Sequence, residues 1–375
     1  MEKLKITVII LLLTIVLGCK KDKEMIEKFE SFEWDAQTSG DVTCPVKVVF
    51  GKFIMSDGST GFIPSGEYLN DTWGWSGKTM SVGEDRKKIP DSLKIIWFSY
   101  TENKFFEETF KLPQKKIHDI FKKDYGKSKY PSGEEYKNIF SSITLGFAPQ
   151  GLVTLWASGF GVIEIGTYQA KEVFIEWSSY SKNPNRNEAV KDYQKDMLPF
   201  VQDEILKGKI SNIYFKNRLE RFHYTIGTNK KDFEIVNYDI EFVNREVISK
   251  ENTGLEFLTD TTNGKAVAKG MTLFIKGPFY KNLEVRIWIG LLEGKKVGEN
   301  LEPLQEREYY EQLRNRFKTF FEQNKDVQLY IKFDDKIVKS NIKNPVYCGK
   351  VFLKSPTSEM EIPNSKVEVY DEEKL

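Results

Sequence analysis

Histidine and cysteine, the side chains that most often ligate transition metals, are scarce in this chain. Its 375 residues include two histidines, His118 and His223, and three cysteines. The spacings H-x-x-x-H and C-x-x-C, which place two ligands on one metal, do not occur. His118 falls on a predicted helix and His223 on a predicted strand, where a lone histidine usually has a surface or packing role. We therefore expect neither a metal nor another cofactor.

Local motifs of the common catalytic classes are also missing. The sequence has no G-x-S-x-G nucleophile elbow, no G-x-x-x-x-G-K-[ST] phosphate loop, no G-x-G-x-x-G after a strand and no EF-hand loop. Acidic pairs are common among its 55 Asp and Glu residues, but a glycosidase needs two carboxylates roughly 5 to 10 Å apart across a cleft. The sequence does not show that separation, so hydrolysis stays an alternative. We predict that the protein is not an enzyme.

An excess of one charge is absent as well. Lys and Arg number 56, the net charge is +1, and no long block of one sign occurs. A nucleic-acid partner would favour a basic face, so we expect none. Aromatic residues make up 14% of the chain, which is typical of a strand-rich core. The alternative explanation is that some of these rings form surface platforms for sugars.

The N-terminus carries the clearest motif. Lys3 and Lys5 precede an apolar run, Ile6–Leu17, which is shorter than the roughly 20 residues of a transmembrane helix. The run has the proportions of a secretory signal peptide. The residues Val16-Leu17-Gly18-Cys19 that close it resemble a bacterial lipobox. We predict cleavage after residue 18 and a lipid on the thiol of Cys19.

A lipid on Cys19 would make the membrane a partner of the mature chain. Two or more acyl chains anchor a protein stably, so we predict an outer-membrane lipoprotein of the cell envelope that faces the periplasm or the cell surface. Residues 19–30 form the predicted tether. The charged segment 20–24 resembles the surface-export signal of Bacteroidetes lipoproteins, and a plain tether is the alternative.

Two further cysteines lie far apart in the sequence, Cys44 and Cys348. In an exported protein they could form a disulfide that joins the two ends of the chain. Both also border strand-like apolar segments, where cysteine serves as a small buried side chain. The sequence leaves both alternatives open.

Most of the chain has the pattern of β-strands. Val46–Met55 leads to Asp57-Gly58, a hairpin turn signal. Helical periodicity occurs at 113–123, at 187–207 with an interruption at Pro199, and at 304–323. Antiparallel strands with a few packed helices predict an α+β fold.

A faint internal repeat suggests two similar halves. Four strand-like segments of the first half have counterparts in the same order in the second half, at an offset of about 190 residues. The offset drifts by about ten residues, as loop insertions would cause. We predict a first α+β domain at 31–186, a helical connector at 187–219 and a second α+β domain at 220–375. The alternative is one continuous fold.

The segment 61–79 is unusual because it combines loop residues with large rings. Its Gly, Pro, Ser and Asn content predicts a loop, yet it contains Phe62, Tyr68, Trp73 and Trp75. Loops often carry function, and exposed indoles could stack on a sugar or anchor a protein partner. The alternative is that Trp73 and Trp75 fold back and cover the sheet.

Several segments behind the lipobox resemble one family. The segments are FEWDAQTS, FIPSG, TWGWSG, PDSLKIIWFSYTENKFFEETFKLP and GFAPQGLVTLWASGFGVIEIGTYQA. In their content and order, these segments resemble the bacterial lipoproteins called domain of unknown function 2931 (DUF2931). The resemblance covers about residues 32–177, and the second half resembles the longer Bacteroidetes members. It implies an envelope lipoprotein and supplies no catalytic residues.

Together these features predict a non-enzymatic envelope lipoprotein that binds an unknown protein or glycan. One alternative is an immunity lipoprotein that neutralises a toxin delivered by neighbouring cells. Another is a glycan-capture lipoprotein that uses the Trp73 and Trp75 loop. The three stay open at the level of the sequence.

Overall fold

The fold is known from a computed structural model, which describes residues 30–75, 77–80, 84–130, 132–277, 280–340 and 345–371. The predicted signal peptide and Cys19 lie outside these residues. Among the helices so described, none combines the length and the apolar character that crossing a membrane requires.

Among its described residues, the first half contains fifteen strands and one helix. The strands are β1 Ser31–Glu33, β2 Asp35–Gly40, β3 Val46–Met55, β4 Thr60–Phe62, β5 Tyr68–Leu69, β6 Lys78–Met80, β7 Arg86–Lys88, β8 Pro90–Ser99, β9 Lys104–Lys111, β10 Lys127–Lys129, β11 Glu135–Lys137, β12 Phe140–Ala148, β13 Leu152–Gly159, β14 Val162–Gln169 and β15 Lys171–Val173. Helix α1 is Gln114–Lys122.

Four short helices then lead to the second half. They are α2 Trp177–Tyr180, α3 Arg186–Lys195, α4 Pro199–Leu206 and α5 Ile213–Leu219. The second half contains β16 Tyr224–Thr228, β17 Glu234–Phe242, β18 Val247–Ser249, α6 Lys250–Thr253, a 3₁₀ turn Leu255–Leu258, β19 Ala268–Gly277, β20 Tyr280–Trp288, α7 Pro303–Gln323, β21 Val327–Phe333, β22 Gly349–Lys354, β23 Glu359–Glu361 and β24 Lys366–Asp371.

The strands form three main sheets in which antiparallel pairs dominate. The largest has ten strands in the order β24-β20-β19-β17-β18-β14-β13-β12-β2-β6. A six-stranded sheet, β15-β9-β8-β3-β4 with β5 beside β3, belongs to the first half, and a four-stranded sheet, β16-β21-β22-β23, belongs to the second. The predicted α+β class, rich in antiparallel strands, is confirmed.

The predicted helices occur where helical periodicity indicated them. Helix α1 lies within 113–123, and α7 lies at 303–323. The interruption at Pro199 is the start of α4, because proline suits the first turn of a helix, where its missing N–H costs nothing.

Strand pairing follows the same scheme in both halves. In the first half β2 pairs parallel with β12, β12 pairs antiparallel with β13, and β13 pairs antiparallel with β14. The other sheet of this half contains β3, β8, β9 and β15. In the second half β16 runs parallel to β21, which continues to β22 and β23, while β17, β19, β20 and β24 form the other sheet. The internal repeat and the domain boundaries themselves stay predictions.

The two halves meet along one continuous sheet and one core. Strand β14 pairs with β18 through Val162 and Val247, which makes the ten-stranded sheet run through both halves. Trp73 and Trp156 of the first half pack into the same core cluster as the strands of the second half. Their rings meet edge to face at 4.9 Å.

A glycine on β12 makes room for these two rings. A Cβ atom at Gly146 would stand 2.7 Å from Cζ3 of Trp156 and 2.9 Å from Nε1 of Trp73. Neither indole can withdraw, since both are fully buried in a close-packed interior.

We expect Gly146→Ala to lower the free energy of unfolding by about 1–3 kcal/mol, because the added methyl group overpacks the junction of the halves. Gly61→Ala is the matched control, since a Cβ there would be 3.4 Å or more from its neighbours, and we expect a change of at most about 0.5 kcal/mol. Urea unfolding of both variants measures the difference. Equal stabilities of the two would contradict this account of the junction.

Candidate functional site

The four aromatic residues of the segment 61–79 do not form one platform. Phe62 and Trp75 are 50% and 60% exposed, whereas Trp73 is fully buried. Tyr68 stacks on Tyr193 with ring centroids 5.3 Å apart. Trp73 therefore folds back into the core, in line with the packing alternative, while Phe62 and Trp75 stay at the surface.

Trp73 packs against a buried cation. The guanidinium carbon of Arg218, on α5, lies 4.8 Å from the centroid of the Trp73 ring and 4.7 Å from that of Tyr310 on α7. Arg218 Nε donates a hydrogen bond of 2.7 Å to the carbonyl oxygen of Val243. This stack joins the first half, the connector and the second half at one point.

Arg245 holds the loop of Trp73 against α7. Its Nε donates to the carbonyl oxygen of Trp73 at 3.1 Å, and its Nη2 lies 3.1 Å from Oε1 of Glu306. Burial would raise the pKa of Glu306, but the charges of Arg245 and Arg218 outweigh burial and keep that pKa below its ordinary value. The carboxylate is therefore ionised at neutral pH.

A groove of about 680 Å³ opens beside this junction. Its floor is the outward face of β17, β19 and β20, because alternate residues such as Tyr238 and Ile240 point into the core. Its walls are the segment 291–301, the first turns of α7 and Thr72. The polar and aromatic lining includes Asp239, Glu241, Arg245, Lys269, Thr272, Arg286, Trp288, Lys295, Lys296, Glu299, Glu306, Tyr309 and Tyr310.

The charged side chains of the groove are largely tied to one another. Lys269 Nζ lies 3.0 Å from Oε2 of Glu241, and Lys295 Nζ lies 2.7 Å from Oε1 of Glu299. The Lys295 hydrogen bond helps to lower the pKa of Glu299. The described lining has five basic and four acidic residues, so the groove is nearly neutral. The ion pairs hold its charged side chains in defined directions.

Asp239 differs from the other carboxylates of the groove. Partial removal from water, followed by the charges of Glu251 and Glu241, raises its pKa. Asp239 and Glu241 lie two positions apart on one face of β17, a spacing of roughly 7 Å in an extended strand. That spacing lies in the range that inverting glycosidases use for their acid and base.

A smaller cavity of about 230 Å³ adjoins the groove and shares Thr72, Leu301 and Glu306 with it. Asp41, Asp71 and Arg307 are also in its lining. Within the described part of the chain, three buried donors near it have no hydrogen-bond partner: Arg218 Nη2, Arg307 Nε and Trp73 Nε1.

A second polar cluster reinforces the seam between β14 and β18. Arg221 Nη2 lies 2.9 Å from Oε2 of Glu164 and 3.0 Å from Oε2 of Glu246. The side-chain amide of Asn244 donates to the same two carboxylates. We assign this cluster a structural role, because the cation and the amide compensate both carboxylates. Its partners lie up to 82 residues apart, and no sequence motif indicated it.

Cys44 and Cys348 are free and buried. Burial raises the pKa of the Cys44 thiol well above its ordinary value, and burial likewise raises that of Cys348 to about 11. The structure therefore supports the buried-thiol alternative and corrects the disulfide alternative: each thiol is enclosed in its own surroundings, beside Asp41 in one case and Val367 in the other.

The two histidines occupy separate places in the fold. His118 is buried on α1 and packs edge to face on Phe32 at 5.5 Å. Nδ1 of His223 lies 2.8 Å from the carbonyl oxygen of Thr261. Among the residues that the structure describes, no group of three or more His, Cys, Asp or Glu side chains is arranged to hold a metal ion.

The first half of the chain matches the model of a known protein family. Residues 20–206 match the family described as "Protein of unknown function (DUF2931)". The chain belongs to this family. The match ends with α4, so Thr72 is the one described residue of the groove lining that lies within it. No curated protein and no solved structure matches the chain.

We expect Glu306→Gln to lower the free energy of unfolding at neutral pH by about 1–3 kcal/mol, because Arg218 and Arg245 lose their compensating charge. The folded pKa of Glu306 is lowered, so its contribution is present above the unfolded carboxyl pKa of roughly 4.3 and is lost as the pH falls through the folded pKa. The difference between wild type and variant should therefore shrink in acid.

Urea unfolding at several pH values measures this difference. Glu322→Gln is the matched control, since Glu322 makes an exposed i,i+4 pair with Lys318 at 4.0 Å, which is worth about 0–0.5 kcal/mol. A difference that stays constant from neutral pH into acid would contradict the assignment of Glu306 as an ionised partner of the two arginines.

Proposed function

We propose that this member of the DUF2931 family is a membrane-anchored envelope lipoprotein that binds a partner in the groove without changing it chemically. The observation that carries this proposal is the set of ion pairs around the groove. Paired charges on β-strands and on α7 hold their hydrogen-bonding atoms in fixed directions, which is how a preorganised binding site is built.

The dimensions of the groove support binding. Its volume of about 680 Å³ lies within the range of roughly 300–1,000 Å³ that is typical of small-ligand sites. The floor consists of three adjacent strands in the middle of the second half, so the polar groups of the floor lie on rigid elements. Ionised, paired carboxylates such as Glu306 and Glu299 accept hydrogen bonds but are poor proton donors.

The lipobox supports the location. The first described residue, Glu30, follows Cys19 by eleven positions, and eleven residues span at most about 40 Å when fully extended. A lipid on Cys19 would keep Glu30, and with it the folded body of the protein, next to the membrane surface. The partner would then be a component of the envelope or of its immediate surroundings.

Glycoside hydrolysis is the second function to consider, because Asp239 and Glu241 have a fitting separation on the groove floor. Against it stands the ion pair of Glu241 with Lys269, because it engages the carboxylate that would have to activate water. Binding without turnover is therefore the better supported function.

A turnover assay separates the two functions. We expect purified mature protein to leave a panel of glycosidic, ester and peptide substrates unchanged at neutral and mildly acidic pH. Hydrolysis that is lost in Asp239→Asn, and retained in a control with the exposed carboxylate Glu322 changed to Gln, would replace the binding proposal by an enzymatic one.

For the anchor, we expect Cys19→Ala to abolish incorporation of labelled palmitate and to move the protein out of the membrane fraction, since the thiol is the site of acylation. Cys44→Ala is the control and should keep label and location, because Cys44 is buried. Unchanged labelling of Cys19→Ala would refute lipidation. Protease treatment of intact cells then distinguishes surface exposure from a periplasmic position.

A further inference from the structure

The described lining of the groove contains one tryptophan, Trp288, and nothing in the sequence marked it. It is the last residue of β20 and is half-buried. Its neighbours on the strand, Ile287 and Ile289, are buried in the core, so alternation directs Trp288 to the groove face. Among the described residues its ring makes no contact with another aromatic ring.

A glycine lies beside Trp288 and leaves a gap on the sheet. Across the ten-stranded sheet, Glu241 of β17 pairs with Gly270 of β19, which pairs with Trp288 of β20. Side chains stand roughly perpendicular to a sheet, and glycine has none. Glu241 and Trp288 therefore flank an open position, and they are two strand spacings apart, about 9.6 Å.

The next row of the sheet supplies hydrogen-bonding groups at the same place. Asp239 pairs with Thr272, and Thr272 pairs with Arg286, so a carboxylate, a hydroxyl and a guanidinium follow one another across the floor. Such a row offers both acceptors and donors to one flat polar ligand. The gap at Gly270 has this row along one side and Trp288 at one end.

The electrostatics of the groove favour a ligand without net charge. Most lining charges are already paired, and basic and acidic residues nearly balance. A charged ligand would have to compete with these ion pairs. Hydroxyl groups can instead donate to the carboxylates and accept from the cations while the pairs remain intact.

We propose that this gap binds one ring of a neutral saccharide, with the apolar face of the sugar on Trp288 and its hydroxyl groups on the polar row of Asp239, Thr272 and Arg286. This inference rests on the proposed binding function and names the ligand class of the same groove. It assigns the sugar contact to Trp288 and not to the surface residue Trp75.

The test is a titration of the full chain, solubilised in detergent, with neutral oligosaccharides of the gluco, manno, galacto and xylo series, followed by calorimetry. We expect one series to bind. Trp288→Ala should weaken that binding about tenfold, as the loss of an aromatic contact worth roughly 1.4 kcal/mol would do. Trp288→Phe should retain most of the affinity, since it keeps a ring at this position.

Two further variants complete the design. Gly270→Ala places a methyl group in the gap, where a Cβ would meet, of the residues described, the carbonyl oxygen of Ile287 alone, at 3.3 Å. This variant should weaken binding while Trp288 is present. Trp75→Ala is the matched control and should bind like the wild type. Thermal unfolding of each variant confirms that it is folded. Weakened binding in Trp75→Ala with normal binding in Trp288→Ala would overturn the inference.

A second measurement distinguishes failure of this inference from failure of the binding function. A photo-cross-linking amino acid replaces Thr272 on the groove floor in cells, and Lys111, exposed on β9 of the first half, serves as the control position. If no saccharide binds but a protein cross-link specific to position 272 forms, the saccharide proposal is overturned and the groove remains a binding site. No binding and no specific cross-link would overturn both.

Discussion

The burial of Trp73 is the contact on which the arrangement of this molecule depends. The indole comes from a loop of the first half and packs on Trp156 of β13, on Phe215 of α5 and on the guanidinium of Arg218. Burying a tryptophan in such a setting contributes several kcal/mol, about 3–5 by the cost of truncating one to alanine. The same ring thus ties the first half and the connector to the core of the second half.

The groove follows from this contact. Because Trp73 is held in the core and its carbonyl oxygen accepts from Arg245, the preceding residue, Thr72, becomes part of the groove wall. Arg245 in turn fixes Glu306 near the start of α7. A loop that the sequence marked for ligand binding therefore contributes mainly by positioning other elements, and the polar groups of the groove belong to the second half.

The two halves share a pairing scheme but differ where the groove lies. In the first half α1 begins three residues after β9 and has nine residues. In the second half a connection of fourteen residues separates β20 from α7, which has 21 residues. This longer connection and the longer helix supply the walls that cover the outward face of β17, β19 and β20. Long connections of this kind often carry function, and the family match, which ends at residue 206, does not include them.

Local sequence patterns determined much of the fold and little of the site. Alternation of apolar residues marked the strands, periodicity marked α1 and α7, and Pro199 marked an interruption of the helical segment before α4, because these signals depend on neighbours along the chain. The groove could not be predicted this way, since its floor joins residues near 240, 270 and 287 through strand pairing.

Trp73 and Trp75 show most clearly what local sequence patterns do not determine. The same residue type, two positions apart, is fully buried in one case and 60% exposed in the other. Between them Gly74 adopts a φ of +76°, a backbone conformation that glycine tolerates, and this turn sends one indole into the core and the other to the surface. Only the pocket formed by Trp156, Phe215 and Arg218 decided which one was buried.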